Sequence, residues 1–163
     1  MKRFLCILLT MVLAFSCFAV AASAEDEKTL IVSLSGDPMT FNPVLKGDDY
    51  GHYIYQNVFD GLLELNYNSE VIPGLARTWD VSEDGLTYTF HLATGVKWHD
   101  GVDFSSEDVK FTYEKIMAEN GFIASTLNAD IASIECPDKD TVVLNLKQAD
   151  ATLLGTLAWY EHY

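Results

Sequence analysis

Four groups of residues have types and spacings that could do chemistry. Asp80-x-Ser82-x-Asp84-Gly85 sets oxygen ligands at alternate positions before a glycine, as the start of a calcium loop does. The twelfth position of such a loop calls for a bidentate Glu and here carries His91, so a polar hairpin turn explains the same residues without metal. His99-Asp100 beside Trp98, and Asp48 with His52 one helical turn on, are the candidate acid–base pairs. Neither pair comes with a third ligand at a recognisable spacing, and the sequence has no His-Glu-x-x-His, Cys-x-x-Cys, Gly-x-Ser-x-Gly elbow or phosphate loop. Asp100-Gly101 is most simply a turn, and Asp48 and Asp49 suit a helix N-terminus electrostatically. No catalytic residue, metal ligand or cofactor is therefore expected. Cys136 sits in Ile134-Glu135-Cys136-Pro137, at the end of a strand-like run with no base beside it, and reads as a small apolar filler. Of the 9 Phe, 8 Tyr and 3 Trp, most fall on the inward phase of strands or on helix faces; Phe41 and Phe122 lie outside that pattern and stay open to a ligand role.

The elements that must position these groups follow from periodicity. Thr29 to Leu34 is β-rich and ends at Ser35-Gly36-Asp37-Pro38, which predicts one strand and its exit. Asp48 to Phe59 predicts a helix with Tyr50, Tyr53, Ile54 and Val58 on one face, stopped by Asp60-Gly61. Trp79 and Val81 alternate with polar residues, Glu83-Asp84-Gly85 turns, and Leu86, Tyr88, Phe90 and Leu92 alternate with Thr87, Thr89 and His91. Strict period two buries one face and wets the other. Val96 and Trp98, after Ala93-Thr94-Gly95, are expected as a third strand of a meander. Ser105 with Asp108 predicts a capping box, with Val109, Thr112, Tyr113, Ile116 and Met117 on one face of a helix ending near Asn120-Gly121. A second hairpin is expected from Ile131–Glu135 and Thr141–Leu146 around Pro137-Asp138-Lys139-Asp140. A last helix begins at Asp150, and its apolar face (Leu153, Leu154, Leu157, Ala158) has nothing downstream to pack on. The sequence is expected to be cut off and loosely packed in isolation.

The first residues read as an address. Lys2 and Arg3 precede an apolar stretch from Phe4 to Val20, and Ala22-Ser23-Ala24 is a small-x-small site ahead of Glu25-Asp26-Glu27. This is the layout of a signal peptide occupying residues 1–24, too short to span a bilayer core. Cleavage after Ala24 removes Cys6 and Cys17 and leaves Cys136 alone, so no internal disulfide is expected. The alternative, lipid attachment at Cys17, has a poor lead-in in Ala14-Phe15-Ser16. The chain carries 10 Lys and Arg against 24 Asp and Glu, a net charge of −14, and both leader charges are positive. Without the leader the chain is more acidic still, so it repels phosphate backbones, and nucleic acid is not an expected partner.

One stretch resembles a known family. Pro73-Gly74-Leu75-Ala76-Arg77-Thr78-Trp79-Asp80-Val81-Ser82-Glu83-Asp84-Gly85-Leu86-Thr87-Tyr88-Thr89-Phe90 is followed by Gly95-Val96-Lys97-Trp98-His99-Asp100-Gly101 and Ser106-Glu107-Asp108-Val109. These resemble the signature region of the family 5 solute-binding proteins, the dipeptide- and oligopeptide-binding components of ABC importers. Asp37-Pro38-Met39-Thr40-Phe41-Asn42-Pro43 and Val58-Phe59-Asp60-Gly61-Leu62 flank it in the family's order, and the resemblance runs from about Leu30 to the last residue. The family usually has Leu-Arg where this chain has Leu92-Ala93-Thr94, so no role for that basic residue carries over.

The resemblance implies an α/β fold, a mixed sheet with helices, belonging to the first lobe of a two-lobed type II periplasmic-binding-protein fold. Because that family is roughly three times as long, residues 25–163 are expected to be an incomplete N-terminal lobe. It implies a non-enzymatic, exported receptor, periplasmic or anchored through Cys17, that captures short peptides and delivers them to ABC permease subunits, monomeric at full length. Asp37, Pro38 and Met39 are the positions it assigns to the ligand cleft. A nickel chelate, haem or oligosaccharide ligand within the same family, and a secreted hydrolase motivated by His99-Asp100, are the other readings.

Overall fold

The computed structural model of the chain describes residues 29–45, 48–121 and 123–159. The expected leader with Cys6 and Cys17, and also Phe122, lie outside the described residues. The chain divides into two compact units, Met1–Leu34 and Ser35–Tyr163. Of the first, the described residues Thr29–Leu34 form no regular element, and Leu30, Ile31 and Val32 are exposed. The expected strand is not formed: among the described residues none of the paired strands takes up this segment, and a strand satisfies its backbone only through a neighbour.

The second unit is built on a four-stranded antiparallel sheet in the order β3-β4-β6-β5. Its strands are β3 (Ala76–Val81), β4 (Thr87–Leu92), β5 (Ile131–Asp138) and β6 (Thr141–Leu146). The alternation on β4 sends Tyr88, Phe90 and Leu92 inward, and β6 answers with Val142, Leu144 and Leu146. Register sets Phe90 opposite Val142 and Tyr88 opposite Leu144, so the two inner strands stack their apolar faces residue for residue. The expected third strand of a meander is replaced by this pairing. Val96–Trp98 instead folds back on itself, with Trp98 N–H donating to Val102 C=O at 2.8 Å and Phe104 N–H to Val96 C=O at 3.0 Å. β6 brings three inward apolar residues, Val142, Leu144 and Leu146, to that side of β4.

Helix α1 (Asp49–Tyr55) follows a 3-10 turn at Pro43–Leu45; α2 (Ser106–Ala118), α3 (Ala124–Asp130) and α4 (Leu153–Trp159) complete the unit. Helix α1 is shorter than its expected span, and it buries Gly51 and Tyr55 while Tyr53 and Val58 are exposed. Helix α2 starts as predicted: Ser105 N–H and Oγ–H both donate to Asp108 Oδ2, at 2.8 and 3.1 Å. It ends on Asn120 at φ 51°, with Gly121 N–H reaching back to Ile116 C=O.

Three elements carry corrections or additions. A hairpin of β1 (Leu63–Leu65) and β2 (Val71–Pro73) is not among the expected elements, since three-residue strands show almost no period. It supplies the surface that the last helix needs: α4 packs on β1 and β2 and buries Leu153, Leu157 and Ala158. The expectation that the last helix has nothing to pack on is thereby overturned, because the partner lies upstream. Helix α3 is a further addition, having Leu127 as its one large buried residue and no side-chain cap. The hairpin joins the main sheet through a close approach at Gly74, where a Cβ would sit 2.5 Å from Gly61 C=O. Leu75 and Ala76 N–H groups donate to Gly61 and Leu62 C=O, both at 2.8 Å.

The packing makes a direct prediction. Phe90, fully buried on β4, contributes to the sheet's shared face, whereas Phe111 on α2 is 66% exposed. Phe90→Ala is expected to cost about 3–5 kcal/mol in urea unfolding, and Phe111→Ala to stay within about 0.5 kcal/mol of the parent.

Candidate functional site

Asp37, Pro38 and Met39 lie in a loop ahead of the 3-10 turn, and α1 holds that loop from behind. Asp48, the N-cap of α1, uses both carboxylate oxygens: Oδ1 accepts Gly51 N–H at 2.8 Å and Oδ2 accepts Met39 N–H at 2.9 Å. Seven residues on, Tyr55 is 1% exposed and donates its Oη–H to Thr40 C=O at 2.6 Å. Asn42 N–H donates to Thr40 Oγ1, and Val44 N–H to Asn42 Oδ1, both at 3.0 Å, so short-range bonds carry the loop into the 3-10 turn. The far end is fixed by shape. A Cβ at Gly121 would stand 2.4 Å from Val44 C=O, so the end of α2 accepts the turn only because that position is glycine.

On this frame Asp37 is exposed and Pro38 half-buried, while Met39 and Phe41 present apolar side chains that are 79% and 71% exposed. The amide of Gly51, and then that of Met39, hold the Asp48 carboxyl below its ordinary range. Desolvation, and secondarily the Asp48 charge, pushes the Tyr55 phenol up and keeps it a donor.

The other candidates resolve as structural parts. Asp84 Oδ1 accepts Ser82 Oγ–H at 2.6 Å and Leu86 N–H at 3.0 Å, which ties the β3–β4 turn to itself; His91 Nε2 meets Asp80 Oδ2 at 3.0 Å across the hairpin. Asp100 Oδ1 accepts Val102 N–H at 3.0 Å inside its own turn, and His99 is exposed. Among the described residues no group of three His, Cys, Asp or Glu could hold a metal ion. Cys136 donates to Ser106 C=O at 3.2 Å, and burial foremost pushes its thiol up, away from nucleophilic character.

Two hollows remain. One of about 60 Å³ beside Phe59, Leu75, Trp98 and Phe104 is well below the roughly 300–1,000 Å³ of a small-molecule site. A broad trough of about 680 Å³ between β2 and α4, edged by Val71, Leu154 and Trp159, has no charged residue in its lining.

Residues 70–162 match the model of the bacterial extracellular solute-binding proteins, family 5. The chain belongs to that family. This family 5 chain is 36% identical to the dipeptide-binding protein of Escherichia coli over 90% of its own length and 31% of the relative's. It superposes on the periplasmic binding protein DppA of Helicobacter pylori, solved with the peptide STSA, at a TM-score of 0.68 and 30% identity, covering 77% of this chain and 29% of that one. It also superposes on NikZ of Campylobacter jejuni, solved with Ni(L-His), at 0.67 and 33% identity, covering 77% and 25%. The family 5 chain thus spans less than a third of the length of the relatives it matches. The expected fold class, a helix-and-sheet part of a two-lobed periplasmic binding protein, agrees with these neighbours; every strand pairing among the described residues is antiparallel.

Sequence reasoning passes over Tyr55 at this site and takes Asp48 only as a helix start and a partner for His52. Asp48 is legible as a helix start, but its second bond joins residues nine apart across a loop. An acid titration separates that bond from simple capping. Because the folded carboxyl lies lower than its ordinary 3.8, its contribution is present above that pH and is lost as pH falls through the folded value. Exchange protection at the Met39 and Gly51 amides is expected to fall together in that acid window and to be pH-independent there in Asp48→Ala, as followed by amide hydrogen exchange.

Proposed function

We propose that this chain is part of the extracytoplasmic substrate-binding component of an ABC importer, and that the component captures short peptides. The observation that carries the reading is the 30% identity and shared fold with a family member solved around a tetrapeptide, over 77% of this chain. In this reading residues 1–24 are a cleaved leader, residues 25–163 form part of the N-terminal lobe, and the full-length protein acts as a monomer that hands its cargo to permease subunits. It is a binding protein and not an enzyme. The net charge of −14 supports an absence of nucleic-acid partners.

Asp37, Pro38 and Met39 face the ligand, with main-chain groups of the loop gripping the peptide as an added strand does. Closure of a second lobe completes the enclosure. The exposed Met39 and Phe41 side chains support a cleft that accommodates apolar side chains. A nickel–histidine chelate is the second reading, favoured by the comparable likeness to NikZ.

Calorimetry on the full gene product containing this chain separates the two. Trialanine is expected to bind with a Kd of about 10 μM or tighter, with Ni(L-His), haem and a maltooligosaccharide giving no heat. Binding of Ni(L-His) without binding of peptide moves the assignment to metal uptake, and hydrolysis of the peptide in the cell moves it to an enzyme.

A further inference from the structure

The candidate loop is held by contacts outside the loop itself. Met39 N–H and Thr40 C=O, adjacent groups of the loop, both turn to α1, one to Asp48 Oδ2 and the other to Tyr55 Oη. The two anchors are seven residues apart and bracket the seven-residue helix, Asp48 as its N-cap and Tyr55 as its last residue. Each makes a second contact besides the loop. The Asp48 carboxylate also caps the helix through Gly51, and the Tyr55 ring is buried and meets Phe59 edge-on at 6.4 Å between centroids.

Cost and exposure identify what these bonds are for. Tyr55 is a large aromatic with its hydroxyl spent on one backbone carbonyl, and Asp48 divides its two oxygens between a helix end and a loop. Neither anchor is one of the three positions Asp37, Pro38 and Met39, so both act on the site at one remove.

We propose that Asp48 and Tyr55 are the positioning residues of the ligand loop. Helix α1 and its cap are the template that fixes the Met39–Thr40 segment at both ends, and affinity depends on that fixation and not on contact between either side chain and the ligand. The proposal rests on the peptide-receptor reading above.

The test uses the full gene product in four forms: parent, Tyr55→Phe, Asp48→Ala and Asp48→Asn, with Asp49→Asn as a control on the same helix. Amide exchange at Met39 is read without ligand, and trialanine affinity is read by calorimetry. Tyr55→Phe and Asp48→Ala are each expected to speed Met39 exchange and weaken trialanine binding by about five- to tenfold. Asp48→Asn, which keeps one acceptor oxygen, is expected to recover part of both losses, and Asp49→Asn to match the parent. Tyr55→Phe removes a single hydroxyl, so its melting temperature serves to show that the fold is intact. Unchanged Met39 exchange in both anchor variants overturns the proposal, and so does faster exchange with parental affinity. A parent protein that ignores trialanine while exchange responds as expected overturns the receptor reading and the ligand role together, and leaves the anchoring itself established.

Discussion

The alternation of apolar residues on β4 and β6 is the constraint on which the rest of the unit depends. These are the two inner strands, and their pairing lays Tyr88, Phe90, Val142 and Leu144 into one continuous face. A slip of one residue in either strand would turn that face to water. The buried side of α2, with Val109, Tyr113 and Ile116, joins the same core, as does Leu127 of α3. Leu62 and Leu63 extend it to the β1–β2 hairpin, where α4 closes it. Each fully buried Leu or Phe in such a face contributes about 1.5–3 kcal/mol over its exposed state, so the sheet's register is strongly determined.

Much of this is legible in the residues, and the failures have physical causes. The β3–β4 hairpin, the β5–β6 hairpin and the capped start of α2 can be read correctly because each rests on local signals: period two, turn residues, and a Ser–Asp pair three apart. Strand neighbours are not local. Val96–Trp98 has strand-like residues, yet β6, some fifty positions later, holds the edge expected for it. Leu30–Val32 has the composition of a strand without a paired neighbour among the described residues, which composition cannot supply. The last helix reads as unpartnered when only residues after it are considered, while its partner is a pair of three-residue strands before it.

The candidate site shows the same division. Asp37, Pro38 and Met39 are named from resemblance, and their placement in a largely solvent-facing loop is compatible with that role. Sequence does not reveal that the loop is held by a helix following it, through one carboxylate and one phenol. Those bonds make the loop's position a property of α1, and Gly121 extends the dependence to the end of α2 through its approach to Val44. The hinted chemistry at Asp80, Asp84, His91 and Asp100 is taken up by hairpin and turn bonds, so the sites that first look reactive are the ones that shape the backbone.

The matched relatives are about three times as long as this chain, and the proposed closure of a second lobe on peptide requires the full protein to change its dimensions. Small-angle X-ray scattering of the full gene product, with and without saturating trialanine, measures that change directly. A smaller radius of gyration in the presence of the peptide is the predicted result. An identical radius in the two states, at a concentration where calorimetry shows the site filled, would contradict the account.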